Sequence, residues 1–247
     1  MKIVLVTQNA PMYMHAMMER LLARRGGDIA GVVFTRSHGG TLAQEVKRRL
    51  AYYGLAAFVQ TSLRILLNTA LRRRPSTVMK RHGVARLPFT DVNSPRFVAF
   101  LRSEGVDVLL SIASMQIFRA AVLDAPRVAA INYHTALLPR HRGRQPLFYA
   151  LAAGDEKTGI TIHYMDEGLD TGDILLQREV PIEPQDTLHS LYQKSLDVGA
   201  EALLEALQLL EEGRAPRTPQ ETSADRPNRF PTRADRQCFR AAGRRFY

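Results

Sequence analysis

The 247-residue chain is long enough for one sizeable domain, or one domain with a short appendage. Hydrophobic residues make up 45% of it, which excludes wholesale disorder, and a lone Cys238 excludes an internal disulfide and a cysteine-built zinc motif. The opening MKIVLVTQNAP is too short an apolar run for a signal peptide, and no window approaches the roughly 20 uninterrupted apolar residues of a membrane span, so the cytoplasm is the simplest location. The net charge of +10 suggests a nucleic-acid partner until its distribution is read. Ten Lys and Arg fall between Thr41 and Arg86 against Glu45 alone, so the basicity belongs to one segment and the remainder is nearly neutral.

In chain order, KIVLV reads as a buried strand, Met12 to Arg25 as a helix stopped by Gly26 and Gly27, and Ile29 to Phe34 as a second buried strand. In the basic segment Leu42, Val46 and Leu50 are spaced by four, as are Val59, Leu63, Leu67 and Leu71. That spacing predicts two helices with an apolar stripe, the second ended by Pro75. Gly83 to Phe89 is a third strand candidate, and Ser94 caps a helix with Pro95 in its first turn, running to about Ser103. Val106 to Ala113 and Arg127 to Asn132 are central strands, with a short helix over Gln116 to Asp124 between them. A helix from about Gln145 to Ala153 follows. Gly159 to Met165 and Gly172 to Ile182 read as antiparallel neighbours, and Asp186 caps a long leucine-spaced helix ending at Gly213. The expectation is an α/β, Rossmann-like, largely parallel open sheet with helices on both faces. Its catalytic domain would span 1–213, with 41–86 as a basic helical insertion, and 214–247 would form a short C-terminal tail that wraps the surface or stays loose.

The first strand-to-helix turn, TQNAPMY, lacks G-x-G-x-x-G, which leaves a dinucleotide site there unsupported. Chemistry is expected instead beyond the carboxyl end of the strand that closes on Asn132. There the chain reads INYHTALLPRHRGRQPLFYALAAGD, from Ile131 to Asp155, and later GLDTGD, from Gly168 to Asp173. In extended geometry Asn132 and His134 share a face and Tyr133 points away. A carboxamide that donates without titrating, beside an imidazole, suits an oxygen that turns negative as a carbonyl is attacked. Asp170, folded back beside His134, would raise the imidazole's pKa, orient it and help remove a proton. The plainer alternative, a polar strand end and an ordinary turn, is not excluded by spacing alone. No serine or cysteine stands in a nucleophile elbow, which favours direct attack by a second substrate.

INYHTALLPRHRG, ALAAGDEKTGITIHYMDEGLDTGDILLQ and the preceding DVLLSIASMQIF closely resemble the formyltransferases that use N10-formyltetrahydrofolate, among them the glycinamide ribonucleotide, methionyl-tRNA and amino-sugar enzymes. The resemblance is strong from about Asp107 to Ile182, looser over the first strand and helix, and weak in the basic segment and tail. It implies a catalytic trio of Asn132, His134 and Asp170, with a protonated His134 helping to hold the oxyanion, and it requires no metal. It further implies a folate co-substrate lodged against Met115, Gln116, Ile117 and Phe118, the turn Leu137, Leu138 and Pro139, and the loop of Asp166, Glu167 and Gly168 that leads to Asp170. Ala136 departs from the Ser that many members carry before LLP.

The acceptor is then a small-molecule amine. Arg140, Arg142 and Arg144, just past the catalytic pair, suggest an anion site for a nucleotide-activated amino sugar or another phosphorylated amine, although a solvated turn accounts for them equally. The tRNA enzymes resemble one another in a second, barrel-like domain, and the about 34 residues after Gly213 are too few for one, so nucleic acid is disfavoured. Methionyl-tRNA formylation and hydrolysis of formyltetrahydrofolate to formate stay as alternatives, and folate sensing without turnover is the weaker third. For 41–86 the default is a helical pair packed on the body, and the sharper alternative is peripheral membrane or partner contact. A homodimer is left open.

Overall fold

A computed structural model of the protein describes residues 1–35, 41–221 and 225–247. Six strands form one sheet: β1 (Ile3–Thr7), β2 (Ile29–Phe34), β3 (Val108–Ile112), β4 (Ala129–His134), β5 (Lys157–Tyr164) and β6 (Ile174–Pro181). Their order is β2-β1-β3-β4-β5-β6; the first four are parallel, and β5 and β6 run antiparallel to their predecessors. This is the largely parallel, Rossmann-like sheet expected.

Alternation along β1 divides the core between two faces. Ile3 and Leu5 pack with Met17, Met18 and Leu21 of α1 (Met14–Arg25) and with Leu203 and Leu207 of α7 (Leu188–Glu211). Val4 and Val6 meet Phe97 and Leu101 of α4 (Pro95–Ser103) and Val122 of α5 (Ala120–Leu123). Such a strand is buried on both sides, which is why KIVLV reads as a continuous apolar run rather than an alternating one.

Four local expectations are corrected. Gly83 to Phe89 is no strand: it contributes one isolated bridge, Val32 to Arg86. Pro75 does not end a helix but opens α3 (Pro75–Arg81) at the first position, where a missing N–H costs nothing. The cap of α7 is Thr187, whose side chain accepts from Ser190 N, while Asp186 pairs with Lys194 at 2.6 Å. The stripe expected to pack on the body is the outer face of α2 (Leu42–Ala70): Leu42, Val46, Leu50, Val59, Leu63, Leu67 and Leu71 are all exposed. The helix buries Tyr52, Ala57, Thr61 and Asn68 instead, and it breaks at Gly54, where φ is 73°.

The tail wraps the body. Residues 233–241 form α8 (Arg233–Ala241), and Phe239 stacks on Phe148 of α6 (Pro146–Ala153) with centroids 4.7 Å apart. The chain end then satisfies two orphan donors at the start of α7, Leu188 N to Arg245 O at 2.8 Å and His189 N to Phe246 O at 2.9 Å. Phe239 is fully buried in a cluster with Tyr52, Leu151 and Leu191. Phe239→Ala is therefore expected to lower unfolding free energy by about 3–5 kcal/mol in urea titration. A loss below about 1 kcal/mol would mean that α8 is not part of the cooperative core.

Candidate active site

β4 delivers Asn132, Tyr133 and His134 at its carboxyl end. Tyr133 turns to α7, where its hydroxyl donates to Ser195 O at 3.3 Å. Asn132 and His134 take the other face, as expected from the pleat.

Asp170 arrives from the connection between β5 and β6. Its φ of 55° is left-handed, a conformation that Asp tolerates better than most residues. The loop is braced internally and from the tail. Thr171 Oγ1 donates to Asp166 Oδ1 at 2.8 Å, Gly168 N donates to the same oxygen at 3.1 Å, and Gln220 Nε2 donates to Asp170 O at 3.2 Å and Gly172 O at 2.6 Å.

The trio converges. Asp170 Oδ2 accepts from Gly143 N at 2.8 Å and lies 3.6 Å from His134 Nδ1, while Oδ1 accepts from Asn132 Nδ2 at 3.4 Å. Burial alone would raise this carboxyl, but the His134 and His163 imidazoles and the Gly143 N–H together hold it at about 2. For His134 the balance differs. Burial holds its pKa below the ordinary value, Asp170 opposes that, and His163 reinforces it. The expected net rise is therefore corrected: desolvation outweighs the carboxylate, and the neutral imidazole is the favoured form at neutral pH. His134 Nε2 lies 3.0 Å from His141 O, so as donor there it leaves Nδ1 toward Asp170, ready to take a proton.

His163 is a fourth member that sequence reasoning missed. It is the cross-strand partner of Asn132 in the β4–β5 register, with Nε2 3.2 Å from Asn132 Nδ2 and 3.6 Å from Asp170 Oδ1. Its Nδ1 stands 2.9 Å from Tyr164 O, which fixes that nitrogen as the donor and Nε2 as the acceptor of the Asn132 amide proton. The alternation of GITIHYM was a usable signal, because it set His163 on one face of β5, but the register with β4 was not readable.

Gly143 and Asn228 lock the loop after β4. Asn228 N donates to Arg142 O at 2.7 Å and Arg144 N donates to Asn228 O at 2.9 Å. With φ at 91°, Gly143 has no room for a side chain: a Cβ there would stand 2.5 Å from Asn228 O. This close approach aims the Gly143 N–H at Asp170.

The residues assigned to folate lie in varied settings. Ile117 and Leu169 are exposed, whereas Phe118 and Leu138 are buried. Gln116 braces the Thr90–Val92 turn through Thr90 O at 2.8 Å and Val92 N at 2.9 Å. Leu138 O accepts from Gln177 Nε2 at 2.9 Å, Pro139 follows it in a cis peptide, and the Leu137 side chain packs over Gly159. Glu167 accepts from Ala120 N at 3.3 Å, and Met115 Sδ is 4.0 Å from Arg144. The three arginines have different partners. Arg140 pairs with Asp155 at 2.7 Å, Arg142 donates to Asp225 O at 2.6 Å, and Arg144 lies over the Phe230 ring at 5.1 Å. Arg48, which the sequence did not single out for this role, lies over the same ring at 5.0 Å.

A family model described as formyl transferase matches residues 1–207. A methionyl-tRNA formyltransferase of Syntrophus aciditrophicus (strain SB) is 46% identical over 132 residues, which are 53% of this chain and 42% of that protein. Glycinamide ribonucleotide transformylase 1 from Symbiobacterium toebii superposes with a TM-score of 0.62 at 23% identity, covering 90% of this chain and 94% of its own. An N-formyltransferase from Helicobacter canadensis, solved with folinic acid and dTDP-3-aminofucose, gives 0.59 at 15% identity, covering 92% and 70%. At those identities the two structures show the fold alone. The chain spans about half the length of the curated relatives it matches.

The Asp170 charge opposes the desolvation of His134, so Asp170→Asn is expected to move the His134 pKa further down, read by NMR titration of the ring. An unchanged His134 titration would show that the two groups do not interact.

Proposed function

The chain belongs to the formyl transferase family, and from that premise we propose that it moves a formyl group from N10-formyltetrahydrofolate to a substrate amine. The observation that carries the reading is the convergence of Asn132, His134 and Asp170 within 3.4–3.6 Å at the carboxyl end of β4. The surroundings fit a folate: exposed Ile117 and Leu169 offer apolar contact for a flat ring. Formyl-folate supplies the electrophilic formyl carbon, and the chain's own residues do the rest.

Asn132 donates to the oxygen that gains charge as the amine adds to that carbon. Its 3.4 Å bond to Asp170 is long, so the hydrogen passes to a stronger acceptor at little cost. His134 enters as the neutral imidazole, accepts the proton that the amine must shed, and would return it to the folate nitrogen as the bond from that nitrogen to the formyl carbon breaks, the carbonyl re-forms and tetrahydrofolate leaves with the N-formyl product. Asp170, ionised across the working range, stabilises the resulting imidazolium. His163 positions the Asn132 amide.

For the acceptor we favour a small amine that carries phosphate, of the nucleotide-activated amino-sugar kind. The support is Arg48 and Arg144 flanking Phe230, next to the Gly143 that holds Asp170. The identity to a methionyl-tRNA enzyme keeps that acceptor as the second reading. Formylation assays on a nucleotide-linked amino sugar and on methionyl-tRNA, with formate release measured in the absence of any amine, separate the two from hydrolysis.

Asn132→Ala and Asp170→Ala are each expected to lower kcat by roughly 10²–10³ while the folate Kd stays within about twofold. Near-normal formyl transfer in either variant would remove the trio assignment.

A further inference from the structure

The second half of α2 is built inside out. Its buried positions include the polar Thr61 and Asn68, held by Thr61 Oγ1 to Tyr247 OH at 2.7 Å and Asn68 Nδ2 to Pro11 O at 2.9 Å. Its outward positions are Leu55, Val59, Leu63, Leu66, Leu67 and Leu71, each 46–73% exposed. A monomer rarely leaves so continuous an aliphatic face in water without a use for it. The stretch Leu42–Arg81 contains an 18-residue window of mean hydropathy 1.3, only 17% buried, which passes as a membrane span by length and composition. The stretch is not an uninterrupted apolar run, because Gln60, Thr61, Ser62 and Arg64 break it.

The face is framed by positive charge. Lys47, Arg48 and Arg49 precede it and Arg72, Arg73 and Arg74 follow it, with Glu45 the single carboxylate between Thr41 and Arg86. Among the described residues no carboxylate pairs with Lys47, Arg72 or Arg73. A cleft of about 700 Å³ opens beside Leu63 and Leu67, lined also by Arg20, Arg64 and Arg73, and contains none of the trio.

We propose that the outer face of α2 docks this protein on an anionic lipid bilayer, the leucines entering the headgroup–acyl boundary and the flanking arginines meeting lipid phosphates. Charge decides against a second copy, because a two-fold interface would set one segment of net charge +9 against another. The aliphatic make-up of the face, which holds no aromatic ring among its six outward positions, fits acyl chains better than the aromatic-rich core of a protein interface. The helix lies along the surface rather than crossing it. Its backbone breaks at Gly54, and its inner side is committed to the body through Tyr52, Thr61 and Asn68.

The test is co-sedimentation of the full chain with phosphatidylcholine vesicles with and without phosphatidylglycerol. Binding is expected only with the anionic lipid and weakens as salt rises, each of Arg72→Gln and Arg73→Gln lowering it roughly fivefold. Leu63→Gln/Leu66→Gln/Leu67→Gln, at exposed positions, is expected to keep the wild-type circular dichroism spectrum and melting temperature and to lose binding more than about tenfold. No association with anionic vesicles, or equal association of the folded triple variant, overturns the proposal. So does a concentration-dependent dimer in sedimentation velocity that the triple variant abolishes, which would assign the face to self-association.

Discussion

A carboxylate kept ionised in a nearly closed site is the constraint around which this protein is organised. Asp170 is only about a tenth exposed, and its charge is tolerable because four groups face it: the Gly143 N–H, the Asn132 amide, and two imidazoles. They come from three pieces of the chain. Asn132 and His134 come from the end of β4, His163 from its antiparallel partner, and Gly143 from the loop that follows β4. The two imidazoles and the Gly143 N–H outweigh the cost of burial and hold the carboxyl at about 2. With a folded pKa below the unfolded one, the stability this contributes is complete above the ordinary Asp range and is lost as pH falls through about 2.

The same constraint explains the C-terminal segment. Gln220 holds the backbone of the Asp170 loop, Asn228 forms a bridge across Gly143, and Phe239 and Phe246 bury the segment against α6 and α7. The tail thus fixes both the loop that carries Asp170 and the loop that aims the Gly143 N–H at it, and it links aromatic packing to the electrostatics of one carboxylate.

The sheet was legible because β1, β2, β3 and β4 are short apolar runs separated by helical periodicity, the pattern of a sheet covered on both faces. Asn132, His134 and Asp170 were legible through the resemblance, and the pleat correctly paired the first two. Tertiary register hid the rest. His163 joins the site only because β5 sets it opposite Asn132, and Gln220 and Asn228 act through long-range backbone contacts that leave no local motif. The apolar spacing of α2 predicted helix correctly but not its direction, because periodicity gives a stripe without saying which side the body takes. Helix boundaries failed at Asp186, beside which Thr187 offers an equivalent capping side chain, and at Pro75, a residue that both bars a helix from continuing and suits the first turn of the next.

The most direct measurement is the carboxyl carbon of Asp170 followed by NMR across the acid range. The account predicts that it stays ionised until about pH 2, well below the ordinary Asp value of 3.8. A carboxyl titrating at or above that ordinary value would contradict the claim that the surrounding donors hold its charge.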